Sequence, residues 1–250
     1  MTERRVAGEK REFRVLLLAA MPKEYDLILP WLEQPHALAS FDTTAYVGSM
    51  GEAECLLVMT GIGKVNAALR AYQGQLQFQP NLVINVGVCG ALNPNLSLGS
   101  TVLSNAFVYH DVWCGEGNLY GQVQNLPAAY EVPSDILETF VRTSPDLRQG
   151  LFTSGDFFMP EGWQLERLFE HFPEACAVDM ESTAIAQVCY LHGLPYFSLR
   201  AVSDCPVEAL HDSGVRVARQ YADFWDDPLP AFQRMEAQLR AFFEAFRKER

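Results

Sequence analysis

The chain is poor in the features that would tie it to a metal, a disulfide frame, a membrane or a nucleic acid. No two of its six cysteines form a Cys-x-x-Cys pair, and its five histidines show no His-x-x-x-His spacing. That pattern argues against zinc and against a disulfide scaffold, and for reduced, packed thiols in a cytoplasmic protein. Positive charge is scarce: 19 Lys and Arg face 31 Asp and Glu, a formal net charge of −12. Such a charge argues against a nucleic-acid backbone or an anionic membrane as the main partner, although one pocket arginine can still hold an anionic substrate. The apolar run Val15 to Met21 is far too short to cross a bilayer. The charged stretch before it has the pattern of neither a signal nor a transit peptide, so residues 1–13 are read as a frayed tail and 14–250 as one domain.

What is present is apolar residues, 49% of the chain, in short runs that alternate with helical patterns. Arg14 to Ala20, Leu56 to Met59 and Leu82 to Val86 read as buried strands. Thr101 to Ser104 and Ala106 to Tyr109 read as two more, and Pro195 to Val202 as another. Helices are expected over Lys64 to about Phe78 and Glu181 to His192. Phe232, Met235, Leu239, Phe242, Phe243 and Phe246 mark an amphipathic helix packed on the body. Interleaved strands and helices of this kind indicate an α/β fold with both sheet faces covered.

In such folds ligands bind beyond the carboxyl ends of strands, and there the polar residues gather. Thr60-Gly-Ile-Gly-Lys64 is neither a Walker loop nor a dinucleotide fingerprint, because Val58, Val65 and Asn66 stand at required positions; it reads as a strand-to-helix turn needing permissive backbone. Gly87-Val-Cys-Gly90 would let a ligand approach a strand end. In Val178-Asp-Met-Glu-Ser182, Asp179 reads as a helix cap. Glu181 beside Met180 suggests a carboxylate taking sugar hydroxyls, with a methionine under the ring. Arg200-Ala-Val-Ser-Asp204 puts charge at the end of an apolar strand, as an internal ion pair or as part of a site.

Taken in order, Ala20-Met21-Pro-Lys-Glu24, Gly61-Ile-Gly-Lys-Val65, Ile84-Asn-Val-Gly87, Tyr109-His-Asp111, Tyr120-Gly-Gln122, Ser154-Gly-Asp156, Val178-Asp-Met-Glu181 and Arg200-Ala-Val-Ser-Asp204 resemble the nucleosidase branch of the purine nucleoside phosphorylase family, the methylthioadenosine/S-adenosylhomocysteine nucleosidases, over roughly residues 14 to 225. The resemblance implies a three-layer α/β/α fold with a mixed, partly barrel-like sheet, a nucleoside substrate, a homodimer and no cofactor. It implies that Glu24 activates water and Asp204, held by Ser203, protonates N7 of the base. Glu181 would hold ribose hydroxyls, Met180 pack on the sugar and Arg200 stand near Glu24 and Glu181. Phe158 would stack on adenine, the Met159 backbone read its edge and Met21 line the pocket.

Adenine is a poor leaving group as an anion, so protonation as the bond breaks suits the chemistry. The sugar develops oxocarbenium character, as in glycoside hydrolysis. Phosphorylases of the family grip phosphate with arginines and a hydroxyl; the matching positions here are Glu24, Asn85 and Val88. A carboxylate repels phosphate and the Val88 side chain offers no donor, which favours water as nucleophile. A phosphorylase, a futalosine-type hydrolase and a non-catalytic nucleoside-binding module are the alternatives. By resemblance the segment from Tyr109 to Gln122 reaches the partner's pocket, and its Trp113-Cys-Gly-Glu-Gly-Asn stretch departs from the family pattern.

Overall fold

The computed structural model describes residues 13–158, 162–207 and 215–248. Ten strands form one mixed sheet among them: β1 (Arg14–Ala19), β2 (Glu33–Ala37), β3 (Ala45–Met50), β4 (Ala53–Met59), β5 (Leu82–Ala91), β6 (Thr101–Tyr109), β7 (Tyr130–Glu131), β8 (Arg148–Ser154), β9 (Ala175–Asp179) and β10 (Tyr196–Asp204). Five of them close on themselves. β5 pairs β10 in parallel, β10 pairs β6 antiparallel, β6 and β8 run parallel, β8 and β9 run parallel, and β9 returns antiparallel to β5. β1, β4, β3 and β2 extend outward from β5 as an open wing. The sheet is thus part barrel and part open, as the resemblance implies.

The helices are α1 (Pro22–Ile28), α2 (Lys64–Phe78), α3 (Ser134–Thr143), α4 (Gly162–His171), α5 (Ser182–His192), α6 (Val215–Phe224) and α7 (Leu229–Lys248). α2 and α5 pack on each other and cover one side of the sheet. α7 lies on β10 and β6 with α1 and α3 packed on it. α7 buries Phe232, Met235, Leu239, Phe242, Phe243 and Phe246, the face its periodicity marks, and Phe242 stacks on Phe140 of α3. Of the expected tail, residues 1–12 lie outside the described residues, while the Phe13 ring packs against Phe243 and Phe246. No helix among the described residues is long and apolar enough to cross a membrane.

Two strand expectations change. Thr101 to Tyr109 is one strand, because the chain absorbs Asn105 in a register shift against β8 and continues. β5 does not stop at Val86 but runs on, fully buried, through Gly87 to Ala91. That extension brings Gly87 opposite Arg200 and Gly90 opposite Asp204, and so places the glycine-bearing end of β5 beside the polar end of β10.

Candidate active site

Glu24 is the third residue of α1, which starts directly after β1, and it is 1% exposed. Three backbone N–H groups donate to its carboxylate: Ala20 at 3.0 Å and Met21 at 2.9 Å to Oε2, and Val88 at 2.8 Å to Oε1. The Val88 side chain offers no donor, but its backbone does, and to the carboxylate rather than to a ligand. Burial pushes the Glu24 carboxyl above its ordinary range, with Arg200 and the three N–H groups pulling only part of the way back.

Arg200 stands at the centre, 1% exposed, among three carboxylates. Its Nη2 lies 2.9 Å from Asp179 Oδ2 and 3.6 Å from Glu181 Oε2, and its Nη1 lies 3.8 Å from Glu24 Oε1. Nε donates to Ser198 Oγ at 3.1 Å and Nη1 to the Val88 carbonyl at 3.3 Å. Burial works against the guanidinium charge, but Asp179, Glu24 and Glu181 outweigh it, and its proton is held more tightly than usual. A Cβ on Gly87 would fall on Glu24 Oε1 and within 2.6 Å of Arg200 Nη1, so only glycine fits beneath the pair.

Asp179 ends β9 two residues before Glu181, the N-cap of α5, so it is not the cap residue the sequence suggests; its Oδ1 still secures the helix start by accepting the N–H groups of Glu181 and Ser182 at 3.2 and 3.1 Å. It also accepts from the hydroxyls of Ser154 and Ser182 and is the nearest anion to Arg200. Sequence reasoning stopped at the cap. The available signal was a second acid two residues from Glu181, in a motif that holds no cation of its own. Glu181 itself lies just outside α5, and its Oε1 accepts the Gly63 N–H at 2.9 Å. Burial and then the neighbouring Asp179 charge push it to about 7, against the pull of Arg200.

Asp204 closes β10, 2% exposed. The Ser203 hydroxyl donates to its Oδ1 at 2.7 Å, while burial lifts its carboxyl from 3.8 to about 6. Met21 is half-buried, and its Sδ accepts the Tyr221 hydroxyl at 3.4 Å. Phe158 is 46% exposed with its ring edge-on to Tyr221 at 5.9 Å, the position of a lip rather than of core. Tyr221 was not singled out from sequence; nothing in the run around it marks it. Met180 is half-buried between Asp179 and Glu181. Met159 lies outside the described residues. Glu24, Glu181 and Asp179 are therefore brought together around one cation, Arg200, while Ser203–Asp204 ends the same strand that carries it.

The phosphorylase superfamily matches residues 14–229. The chain belongs to that superfamily. Within it the chain is 36% identical, over 194 residues, to a 5′-methylthioadenosine/S-adenosylhomocysteine nucleosidase of a Marinomonas species, covering 75% of this chain and 84% of that one. A nucleosidase of the same name from Staphylococcus epidermidis is also 36% identical, over 75% of this chain and 85% of its own. Among solved structures, the Streptococcus pneumoniae MTA/SAH nucleosidase in complex with 8-aminoadenine superposes with a TM-score of 0.83 at 29% identity, covering 93% of this chain and 99% of that one. The Neisseria meningitidis nucleosidase in complex with methylthio-immucillin-A superposes equally well, with the same TM-score, identity and coverage. The two solved nucleosidases share the part-barrel fold described above, and all four relatives carry nucleosidase names.

Proposed function

We propose that this member of the superfamily hydrolyses the N-glycosidic bond of 5′-methylthioadenosine, S-adenosylhomocysteine or both, releasing adenine and the thioribose. One observation carries the choice of water over phosphate. Every guanidinium nitrogen of Arg200 already donates inside the protein, to Ser198, Val88 and Asp179, and three carboxylates surround that single cation. An incoming phosphate would find a surplus of negative charge there and at most one of the five guanidinium N–H groups, since Nη2 also donates to Ser182 Oγ at 3.4 Å. Asn85 does not supply the missing donor, since its Nδ2 is turned to Ser182 Oγ at 3.2 Å.

Water suits the same arrangement. A carboxylate whose pKa is raised by burial is a better base than one in solvent, and Glu24 is held in one orientation by three N–H groups. It takes a proton from the attacking water as the sugar becomes cationic. Glu181 accepts from the ribose hydroxyls, with Met180 against the sugar and Arg200 near both Glu24 and Glu181. Asp204, its proton favoured by burial and its Oδ1 fixed by Ser203, protonates N7 of the departing adenine. Phe158 covers the base from the pocket lip, Met159 reads its edge and Met21 lines the wall. Product analysis tests the whole reading: adenine and free methylthioribose form without phosphate. Phosphate-dependent appearance of a sugar 1-phosphate would overturn it.

The chain is further read as a cytoplasmic homodimer, with its pockets completed by the partner's segment from Tyr109 to Leu126. Five of its six free cysteines are buried, which suits a reducing compartment. Val65, Leu69, Tyr72 and Leu76 form an exposed apolar stripe along α2, continued by Ile62, with Tyr190 and Leu191 exposed on the adjoining α5. A face of that kind in an acidic protein calls for a cover, and a second copy of the chain supplies the same apolar surface.

A further inference from the structure

Three strand-end loops meet beside Glu181, and one ionic knot joins them. Lys64 opens α2 after β4, Asp111 follows β6 and Asp156 follows β8. The Lys64 backbone N–H donates to Asp156 Oδ1 at 2.8 Å, and its Nζ donates to Asp111 Oδ2 at 2.6 Å. Asp111 Oδ2 also accepts the Asp156 N–H at 2.9 Å, and Lys64 Nζ lies 3.8 Å from Asp156 Oδ2. The side chains of Lys64 and Asp111 are only 22% and 15% exposed, so solvent screens this pair less than an open surface pair.

The residue before Lys64 is Gly63, with φ +94. Its N–H is the one that donates to Glu181 Oε1 across 118 positions of sequence. A Cβ here would stand 3.1 Å from Asp156 Oδ1, so the carboxylate lies directly against the turn. A glycine with that φ has many conformations open to it, so the turn is held by its neighbours. Asn66 Nδ2 donates at 2.7 Å to the Ile62 carbonyl, on the same peptide as the Gly63 N–H, and Lys64 fixes the following peptide through its N–H and its ammonium.

We propose that Asp156, Asp111 and Lys64 are positioning residues: they aim the Gly63 N–H at Glu181 and thereby set the affinity for the sugar of the nucleoside. This rests on the reading of Glu181 as acceptor of the ribose hydroxyls. Asp156 is the most open member, with a side chain 45% exposed, so it can be replaced without opening the core.

The test pairs Asp156→Ala with Asp156→Asn, which keeps an oxygen to accept the Lys64 N–H. KM and kcat are measured for methylthioadenosine, Kd for free adenine by calorimetry, and melting temperature for each variant. Asp156→Ala raises KM roughly threefold to tenfold, the worth of one hydrogen bond, with a smaller change in kcat and adenine affinity within about twofold of the unsubstituted protein. Asp156→Asn restores KM. Asp111→Asn, which breaks the ion pair to Lys64 but keeps an acceptor, shifts KM in the same direction by less. Parallel weakening of adenine and nucleoside, an unchanged KM in Asp156→Ala, or Asp156→Asn as impaired as Asp156→Ala would each overturn the proposal. Absence of turnover by the unsubstituted protein would instead overturn the hydrolase reading, and this one with it.

Discussion

Asp204→Asn should make the protein more stable and nearly inactive. Burial lifts the Asp204 carboxyl from 3.8 to about 6, while Ser203 pulls it partly back. At 1.36 kcal/mol for each tenfold change in proton affinity, keeping this group ionised above pH 6 costs the fold about 3 kcal/mol. Between pH 3.8 and 6 the folded chain holds the proton more tightly than the unfolded chain. Stability from this group is therefore complete below pH 4 and lost as the pH rises through 6. Asparagine removes the charge and keeps an oxygen for the Ser203 hydroxyl. The gain is then near zero at pH 4, grows through the window and is full at pH 8. For a chain of this size about 3 kcal/mol corresponds to a rise in Tm of roughly 5–10 °C.

The same change removes the proton donor. Asparagine can hydrogen-bond N7 but cannot protonate it, so kcat falls by about 10²–10⁴ while KM for methylthioadenosine moves little. A nucleoside whose leaving group needs no protonation recovers more of its rate in Asp204→Asn than in Glu24→Gln, where the water is affected instead. Thermal melts of the ligand-free protein at pH 4, 6 and 8, with steady-state kinetics beside them, check both halves. A lower Tm at pH 8, or a gain independent of pH, refutes the desolvation argument. A kcat near that of the unsubstituted protein refutes the acid role.

Of the strands that carry the site, β1, β5 and β10 were legible in the sequence, because they are buried on both faces and carry long apolar runs; β8 and the five-residue β9, which ends in Asp179, were not read as strands. Nor was β2. All five residues of Glu33–Ala37 are exposed, Pro35 interrupts them, and the strand pairs only β3 at the edge of the wing. The apolar run of β5 reads only to Val86, with Gly87-Val-Cys-Gly90 as its end. Here Gly87 continues it, since the space its side chain would take belongs to Glu24 and Arg200. At the site, Glu24, Glu181, Arg200 and Asp204 were marked by the resemblance that the ordered motifs carry. Their partners were not, because Gly63 meets Glu181 across the fold rather than along the chain. Arg200 had been given two readings, ion pair or site residue. The structure shows the ion pair with Asp179 and places it among the proposed site residues, so the choice was never exclusive.

Phe158→Ala should weaken adenine binding measured by calorimetry by about tenfold while Tm changes little, because a ring 46% exposed contributes more to a pocket lip than to the core. A large fall in Tm with unchanged affinity would mark it as core. Leu69→Asp should convert a dimer to a monomer by light scattering and depress turnover; a fully active monomer would remove the shared-pocket reading. The last outcome concerns Gly87, set against Gly90 three residues on in the same strand. An added Cβ meets Pro206 Cγ at 2.7 Å from Gly90, but from Gly87 it meets Glu24 Oε1 and Arg200 Nη1. Both alanines overpack a buried strand, which costs about 1–3 kcal/mol. Only Gly87→Ala must also push a buried carboxylate off three N–H donors and away from its cation. Gly87→Ala should therefore lose far more kcat than Gly90→Ala at a comparable loss of Tm. Equal losses of kcat in the two variants would mean that Glu24 tolerates displacement, and a base that tolerates displacement is not the group that activates the water.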